Sequence, residues 1–143
     1  MGTIFRRPAS TVSMASQSLS YRQTGARWEK TAESFLRSHG LKLLQRNFSS
    51  RFGEIDLIMR QGDALVFVEV RFRKHVQYGT GAESVDYRKQ QKLLKCAEYF
   101  LQRNTKYNQY PCRIDVVSIG LKKPNATEDS TPTIDWIPNA IES

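Results

Sequence analysis

The stretch GEIDLIMRQGDALVFVEVRFR, residues 53–73, decides the fold of this chain. It holds two runs rich in Ile, Leu, Val and Phe on either side of Gly62-Asp63, a pattern that predicts a β-hairpin with a two-residue turn. Each run carries one carboxylate among its apolar residues, Asp56 in the first strand and Glu69 in the second. Because an isolated buried carboxylate is costly, both acids need a partner.

The turn sets the register of this hairpin. With a two-residue turn, Asp56 faces Glu69 across the hairpin, and facing residues share one side of the sheet. Two facing carboxylates repel, and a divalent cation with oxygen ligands relieves that repulsion. A three-residue turn would place the two acids on opposite faces. A metal site is one interpretation; a solvated face with Arg73 as counter-ion is the other.

The flanking sequence predicts a single α/β domain over residues 24–143. Apolar residues at helical spacing predict helices at residues 24–40, with Thr24 as N-cap, and at residues 85–103. The predicted strands are residues 41–48, 54–60, 64–73, 112–120 and 133–137. The order αβββαββ implies a layered domain in which helices flank a central mixed sheet.

Composition excludes several classes of protein. The chain has 143 residues, of which 39% are hydrophobic and 25% charged, ordinary values for a globular domain. No apolar run approaches the roughly 20 residues of a membrane helix, so we expect a cytoplasmic protein without a membrane partner. Cys96 and Cys112 lack the spacing of a zinc site, and Cys96 is expected to be a buried free thiol.

The charge of the chain favours an anionic partner. The net charge is +8, which is typical of proteins that bind nucleic acid or an acidic surface. We expect residues 1–23, rich in Ser and Arg and without an acid, to form a disordered basic leader. Their composition also resembles an organelle transit peptide, so an organelle is the alternative to the cytoplasm.

Asp115 is a third acid within an apolar strand. Arg113 lies two residues away and therefore on the same face of that strand. We expect a structural ion pair between them rather than a third metal ligand.

Four motifs together resemble a known family. GARWEKTAESFL, GEIDLI, FVEVR and CRIDVV closely resemble the bacterial YraN-like family of predicted endonucleases, which is similar to archaeal Holliday-junction resolvases and has a restriction-endonuclease-like fold. The resemblance covers residues 24–119 and the Asp-Trp-Ile near the end of the chain. It implies a metal-dependent endonuclease that acts on duplex or branched DNA, and its resolvase relatives imply a homodimer.

The resemblance also implies a set of site residues. The helix glutamate of the family falls on Glu29. Asp56 and Glu69 would ligate Mg²⁺ or Mn²⁺, together with the main-chain carbonyl of Val70. The lysine of the nuclease pattern falls on Arg71, and arginine at this position is common in the family. Arginine stays protonated and cannot act as a general base. Arginine still places positive charge against the phosphate in the transition state.

Basic residues near the acids are candidates for contact with phosphate. They are Arg73, Lys74, Arg88, Lys89 and Lys92. A solvated helix face is the alternative for the three on the second helix. Two other functions stay open: a non-catalytic nucleic-acid-binding module on the same fold, which would best tolerate Arg71, and a scaffold whose basic face binds an acidic protein. The acid pair is expected in a nuclease and unexplained in a scaffold.

Overall fold

The structure is a computed structural model that describes residues 14–73, 86–120 and 132–141, with side chains from residue 25 onward. Within these ranges the chain forms two helices and five strands, and the predicted α/β class and the order αβββαββ are confirmed. The elements are α1 Met14–Ser38, β1 Lys42–Ser50, β2 Gly53–Gln61, β3 Ala64–Arg73, α2 Tyr87–Arg103, β4 Cys112–Gly120 and β5 Thr133–Ile141. A short 3₁₀ turn, Thr105–Tyr107, follows α2.

The strands form one mixed sheet in the order β1-β2-β3-β4-β5. Three neighbouring pairs are antiparallel, and β3 and β4 are parallel. Parallel neighbours cannot be joined by a hairpin, and α2 lies in the connection between them. This crossover brings the N-terminus of α2 close to the middle of β3, where Glu69 lies.

The predicted hairpin register is confirmed over the half of the two strands next to the turn, which stops one pair before Asp56 and Glu69. Gln61 pairs with Ala64, and the ladder continues in step to Leu57 and Val68. Gly62 in the turn has a φ of 60°, a conformation that suits glycine because it carries no Cβ. The two-residue turn therefore sets which residues of β2 and β3 share a face.

A hydrophobic core lies on each side of the sheet. In β3, Phe67 packs towards α2, whereas its neighbours Val66 and Val68 pack towards α1, as the two-residue period of a strand requires. The α1 core includes Trp28, Ala32 and Leu36, and the α2 core includes Leu93, Cys96, Ala97 and Phe100. Both cysteines are free thiols, and Cys96 is buried as predicted.

The predicted start of α1 is wrong. The helix begins at Met14 and runs through Thr24, which therefore does not cap it. Residues 9–24 contain neither Pro nor Gly, so nothing in this stretch breaks the helix. The disordered leader was predicted for residues 1–23, but residues 14–23 belong to α1. For residues 1–13, which lie outside the described part, it stays a prediction. Neither described helix is long and apolar enough to cross a bilayer.

The structural ion pair of Asp115 is confirmed. The carboxylate is fully buried and accepts a hydrogen bond from Arg113 Nε at 2.9 Å. It also accepts from the indole N–H of Trp136 at 2.9 Å and from the main-chain N–H of Asn139 at 2.8 Å. These partners fasten β5 to β4 beside an irregularity in their register. Asp115 is thus satisfied by the fold.

Candidate metal and nucleic-acid site

The regular backbone pairing of β2 with β3 stops beside Asp56. The regular ladder ends at the pair Leu57–Val68, although both strands continue beyond it. At this point Asp56 Oδ2 accepts a hydrogen bond of 2.8 Å from the main-chain N–H of Val70. Ile55 packs in the α2 core and Leu57 in the α1 core, whereas residues two apart in a regular strand share a face. A side-chain oxygen therefore joins the two strands where the regular ladder stops.

Asp56 and Glu69 line one cleft of about 480 Å³. The other wall of the cleft is formed by the N-cap and about the first two turns of α2. The α2 residues and N-cap that line it are Asp86, Arg88, Lys89, Lys92 and Leu93. The two acids thus open into the same cavity, opposite a basic helix end.

The electrostatics of the cleft are dominated by its acids. Burial and, after it, the charge of Glu69 together raise the pKa of Asp56 to about 8, although the hydrogen bond from Val70 acts to lower it. The charges of Glu29 and Glu54 act in the same direction as Glu69. Without a cation, therefore, Asp56 holds its proton through neutral pH.

In the structure, the Glu29 side chain contacts that of Asp56 from a second cavity rather than from the cleft. Burial raises the pKa of Glu29, as do the charges of Glu54 and Glu69, while a hydrogen bond with the Asp56 side chain lowers it. Glu29 lines a second cavity, of about 380 Å³, together with Glu33 and Arg46. In that cavity Arg46 donates two hydrogen bonds to Glu33, at 2.8 and 3.0 Å. Glu29 is thus the link between the two cavities.

Lys89 is ion-paired with Glu69, at 2.9 Å between Nζ and Oε2. Asp86, the N-cap of α2, accepts a hydrogen bond of 2.8 Å from the main-chain N–H of Lys89 and holds that backbone in place. The sequence placed Lys89 among the phosphate-contacting residues and missed this pair. A signal was present, because Lys89 precedes the buried Leu93 by four residues and therefore shares its face of the helix.

The remaining predicted site residues are distributed as follows. Arg88 and Lys92 line the cleft with the acids. Arg71 and Arg73 follow Glu69 at two-residue steps in β3 and lie on its side of the sheet. Lys74 lies outside the described residues. The metal and phosphate roles assigned to all of these residues stay predictions.

The carboxylate oxygens of the cleft suit a hard cation that binds only a few protein ligands. Four acidic residues line the cleft, namely Glu54, Asp56, Glu69 and the helix cap Asp86, but within residues 25–73, 86–120 and 132–141 no group of three or more His, Cys, Asp or Glu side chains is arranged to hold a metal. Mg²⁺ binds through one or two carboxylates and keeps several waters, whereas structural zinc needs four ligands, usually Cys or His. The residues therefore fit Mg²⁺ or Mn²⁺ and do not form a zinc site.

Several known proteins are similar to this chain. The model of the family described as "Uncharacterised protein family UPF0102" matches residues 28–119. A "UPF0102 protein" of Stutzerimonas stutzeri (strain A1501) is 48% identical over 120 residues, which cover 84% of this chain and 95% of that protein. A "UPF0102 protein" of Ectopseudomonas mendocina (strain ymp) is 46% identical over 124 residues, 87% of this chain and 98% of that protein.

One solved structure is also similar to the chain. It is "The structure of Pyrococcus Furiosus SfsA in complex with Ca2+", with 13% identity, a TM-score of 0.36 and coverage of 86% of this chain and 65% of that chain. The names of the two bacterial relatives state no activity. The endonuclease activity that the sequence motifs imply therefore stays a prediction.

Proposed function

The chain belongs to the uncharacterised protein family UPF0102, and we propose that it is a metal-dependent endonuclease acting on DNA, duplex or branched. One observation carries the proposal. Asp56 and Glu69, from two different strands, open into a single cleft whose other wall is the basic N-terminus of α2. Acids and bases that face each other across a cleft suit a phosphodiester held between a cation and basic side chains.

The acid pair supports a cation site. Glu69 is 5% exposed, and burial together with the Glu69 charge raises the pKa of Asp56 to about 8. Two carboxylates so placed destabilise the fold unless a positive charge neutralises them, and the cost calls for a functional reason. Asp56, Glu69 and the carbonyl of Val70 would hold Mg²⁺ or Mn²⁺. When bound, this ion would act as a Lewis acid towards a phosphoryl oxygen.

The basic wall supports an anionic substrate. Arg88 and Lys92 line the cleft, and they lie near the N-terminus of α2, where the helix dipole favours negative charge. Arg71 adds a fixed positive charge on the same side of β3, suited to the charge that develops on phosphate. Glu29, hydrogen-bonded to Asp56, would hold that carboxylate in place. The net charge of +8 favours approach to DNA.

A non-catalytic DNA-binding module is the second candidate. The observation that favours it is the arginine at position 71, where the nuclease pattern has the lysine that orients the attacking water. Arginine supplies charge but stays protonated near neutral pH, so it cannot take a proton from the attacking water. Such a module would bind DNA through the same basic wall and leave the phosphodiester intact.

A cleavage assay decides between the two functions. The full chain is incubated with a labelled four-way junction and with a linear duplex of the same sequence, in EDTA, Mg²⁺ or Mn²⁺. We expect nicking with metal only, and its loss in Asp56→Asn/Glu69→Gln. The matched control is Asp63→Asn, which changes an exposed carboxylate in the hairpin turn and should cleave like the wild type.

The outcomes of this assay are distinct. Metal-dependent nicking that survives the double substitution would come from a contaminant and refute the site. Salt-sensitive binding to DNA without cleavage in any metal would refute the nuclease and support the binding module. The proposed homodimer is checked on the same sample by light scattering, which gives twice the mass of 16.5 kDa if it forms.

A further inference from the structure

Lys89 and the proposed metal compete for the same carboxylate. We propose that Lys89 is a built-in counter-ion that neutralises Glu69 when no metal is present and, once displaced by metal, turns to the substrate phosphate. The inference rests on the proposed function and names a regulator of its metal site. It starts from the single ion pair of 2.9 Å between Lys89 Nζ and Glu69 Oε2.

Because the Glu69 side chain is buried, its charge depends strongly on the ion pair with Lys89. The side chain of Glu69 is 6% exposed, so little water can stabilise its charge, and the ammonium of Lys89 contributes that stabilisation at 2.9 Å. Lys89 itself is 50% exposed: its stem crosses from solvent into the cleft. A half-exposed lysine can leave the carboxylate and return to water at modest cost, whereas the buried glutamate cannot follow it.

The two cations exclude each other by distance. An ammonium at 2.9 Å and a divalent ion at about 2.0–2.1 Å from the same carboxylate oxygen, Glu69 Oε2, would lie no more than about 5 Å apart, where their repulsion is strong. Metal binding therefore displaces Nζ. The backbone of Lys89 stays in place because the Asp86 carboxylate holds its N–H, so the displacement is a rotation of the side chain.

The displaced ammonium remains in the cleft. Arg88 and Lys92 line the same wall, so a rotated Lys89 joins two basic residues at the N-terminus of α2. That is where a phosphate bound to the metal would lie. Lys89 thus restrains metal binding in the free protein and adds positive charge to the phosphate in the loaded one.

The variant test uses Mn²⁺ alone as the titrant on the full chain, by calorimetry. Lys89→Gln should bind Mn²⁺ about tenfold more tightly than the wild type, because the competing charge is gone. Lys89→Arg keeps the charge and should bind like the wild type. The matched control, Lys92→Gln, removes a charge from the same wall and should change the affinity less than about threefold. With Mn²⁺ saturating, Lys89→Gln should nevertheless cleave the junction at least about tenfold more slowly.

A second measurement uses only the wild-type protein, so it tests the proposal even if Lys89→Gln does not fold. Acetylation of each lysine by an amine-reactive ester is followed by mass spectrometry, with and without Mn²⁺. Lys89 should react about threefold faster with Mn²⁺, because its ammonium has left Glu69, while Lys92 should not change.

The failures are distinguishable. The counter-ion exchange is refuted if the wild type binds Mn²⁺ and Lys89→Gln binds it equally or more weakly. It is also refuted if Mn²⁺ does not change the rate at which Lys89 is acetylated. In both cases the nuclease proposal stands. If neither the wild type nor Lys89→Gln binds Mn²⁺, the proposed metal site is refuted, and the exchange with it.

Discussion

Asp56→Asn should stabilise the metal-free protein at neutral pH. Burial and the charge of Glu69 raise the pKa of Asp56 from its ordinary value of 3.8 to about 8 in the folded chain. Between these two values the folded state holds a proton that the unfolded chain has lost. The free energy of unfolding therefore falls as pH rises through this window. Asn cannot ionise, and its side-chain oxygen can still accept from the N–H of Val70.

The magnitude follows from the width of the window. Each pH unit inside it changes the free energy of unfolding by up to about 1.4 kcal/mol. Raising the pH from 5 to 7 should cost the wild type about 2–3 kcal/mol through Asp56, and Asp56→Asn should remove that cost. Near pH 4 the two proteins should differ by less than about 1 kcal/mol, because Asp56 is then protonated in the folded state.

Urea unfolding in EDTA, followed by the fluorescence of Trp28 and Trp136 at several pH values, measures this difference. Asp63→Asn is the control: Asp63 is exposed in the hairpin turn, and its variant should keep the wild-type pH dependence. Excess Mn²⁺ should reverse the order of stability, since metal binding stabilises only a folded protein that retains the ligand. An Asp56→Asn protein that is less stable than the wild type at pH 7 in EDTA would refute the reasoning.

Three further predictions concern the fold and the basic wall. Asp115→Ala should lower the free energy of unfolding in urea by about 3–5 kcal/mol, because Arg113 is left without its buried partner; a loss under 1 kcal/mol would contradict this. Gly62→Ala should cost about 1 kcal/mol in the same assay, since the turn holds Gly62 at a φ of 60°, while Gly62→Asn should cost less. Arg88→Gln should reduce the log–log salt slope of duplex binding by about 0.9, measured by fluorescence anisotropy, and an unchanged slope would remove Arg88 from the interface.

The hairpin was predictable from sequence because its determinants are local. A two-residue Gly-Asp turn and apolar residues at period two specify the register, and the structure repeats it from Gln61–Ala64 to Leu57–Val68. The same local logic identified the pair of acids and the pairing of Arg113 with Asp115, two residues apart. Helix periodicity likewise identified the buried face of α2.

The start of α1 and the end of β5 were predicted less accurately from the sequence. The polar residues upstream of Thr24 carry no apolar stripe, so periodicity placed the helix start too late, whereas α1 runs from Met14 through Gly25 with no Pro to break it. At the other end, β5 extends through Pro138 to Ile141, because Asp115 binds the N–H of Asn139 and fastens that segment to β4. Neither the early start of α1 nor the late end of β5 is marked by a periodic pattern of apolar residues in the sequence.

The sequence by itself determined the strands, the hairpin register and the identity of the two mid-strand acids, because all three depend on neighbours along the chain. Only the tertiary structure decided what those acids meet: the N–H of Val70 against Asp56, and the ammonium of Lys89 against Glu69. The second contact joins residues 20 positions apart and exists because α2, as the crossover between parallel strands, docks with its N-terminus close to the middle of β3. The docking of an element depends on the summed packing of two cores, and no local pattern encodes that sum.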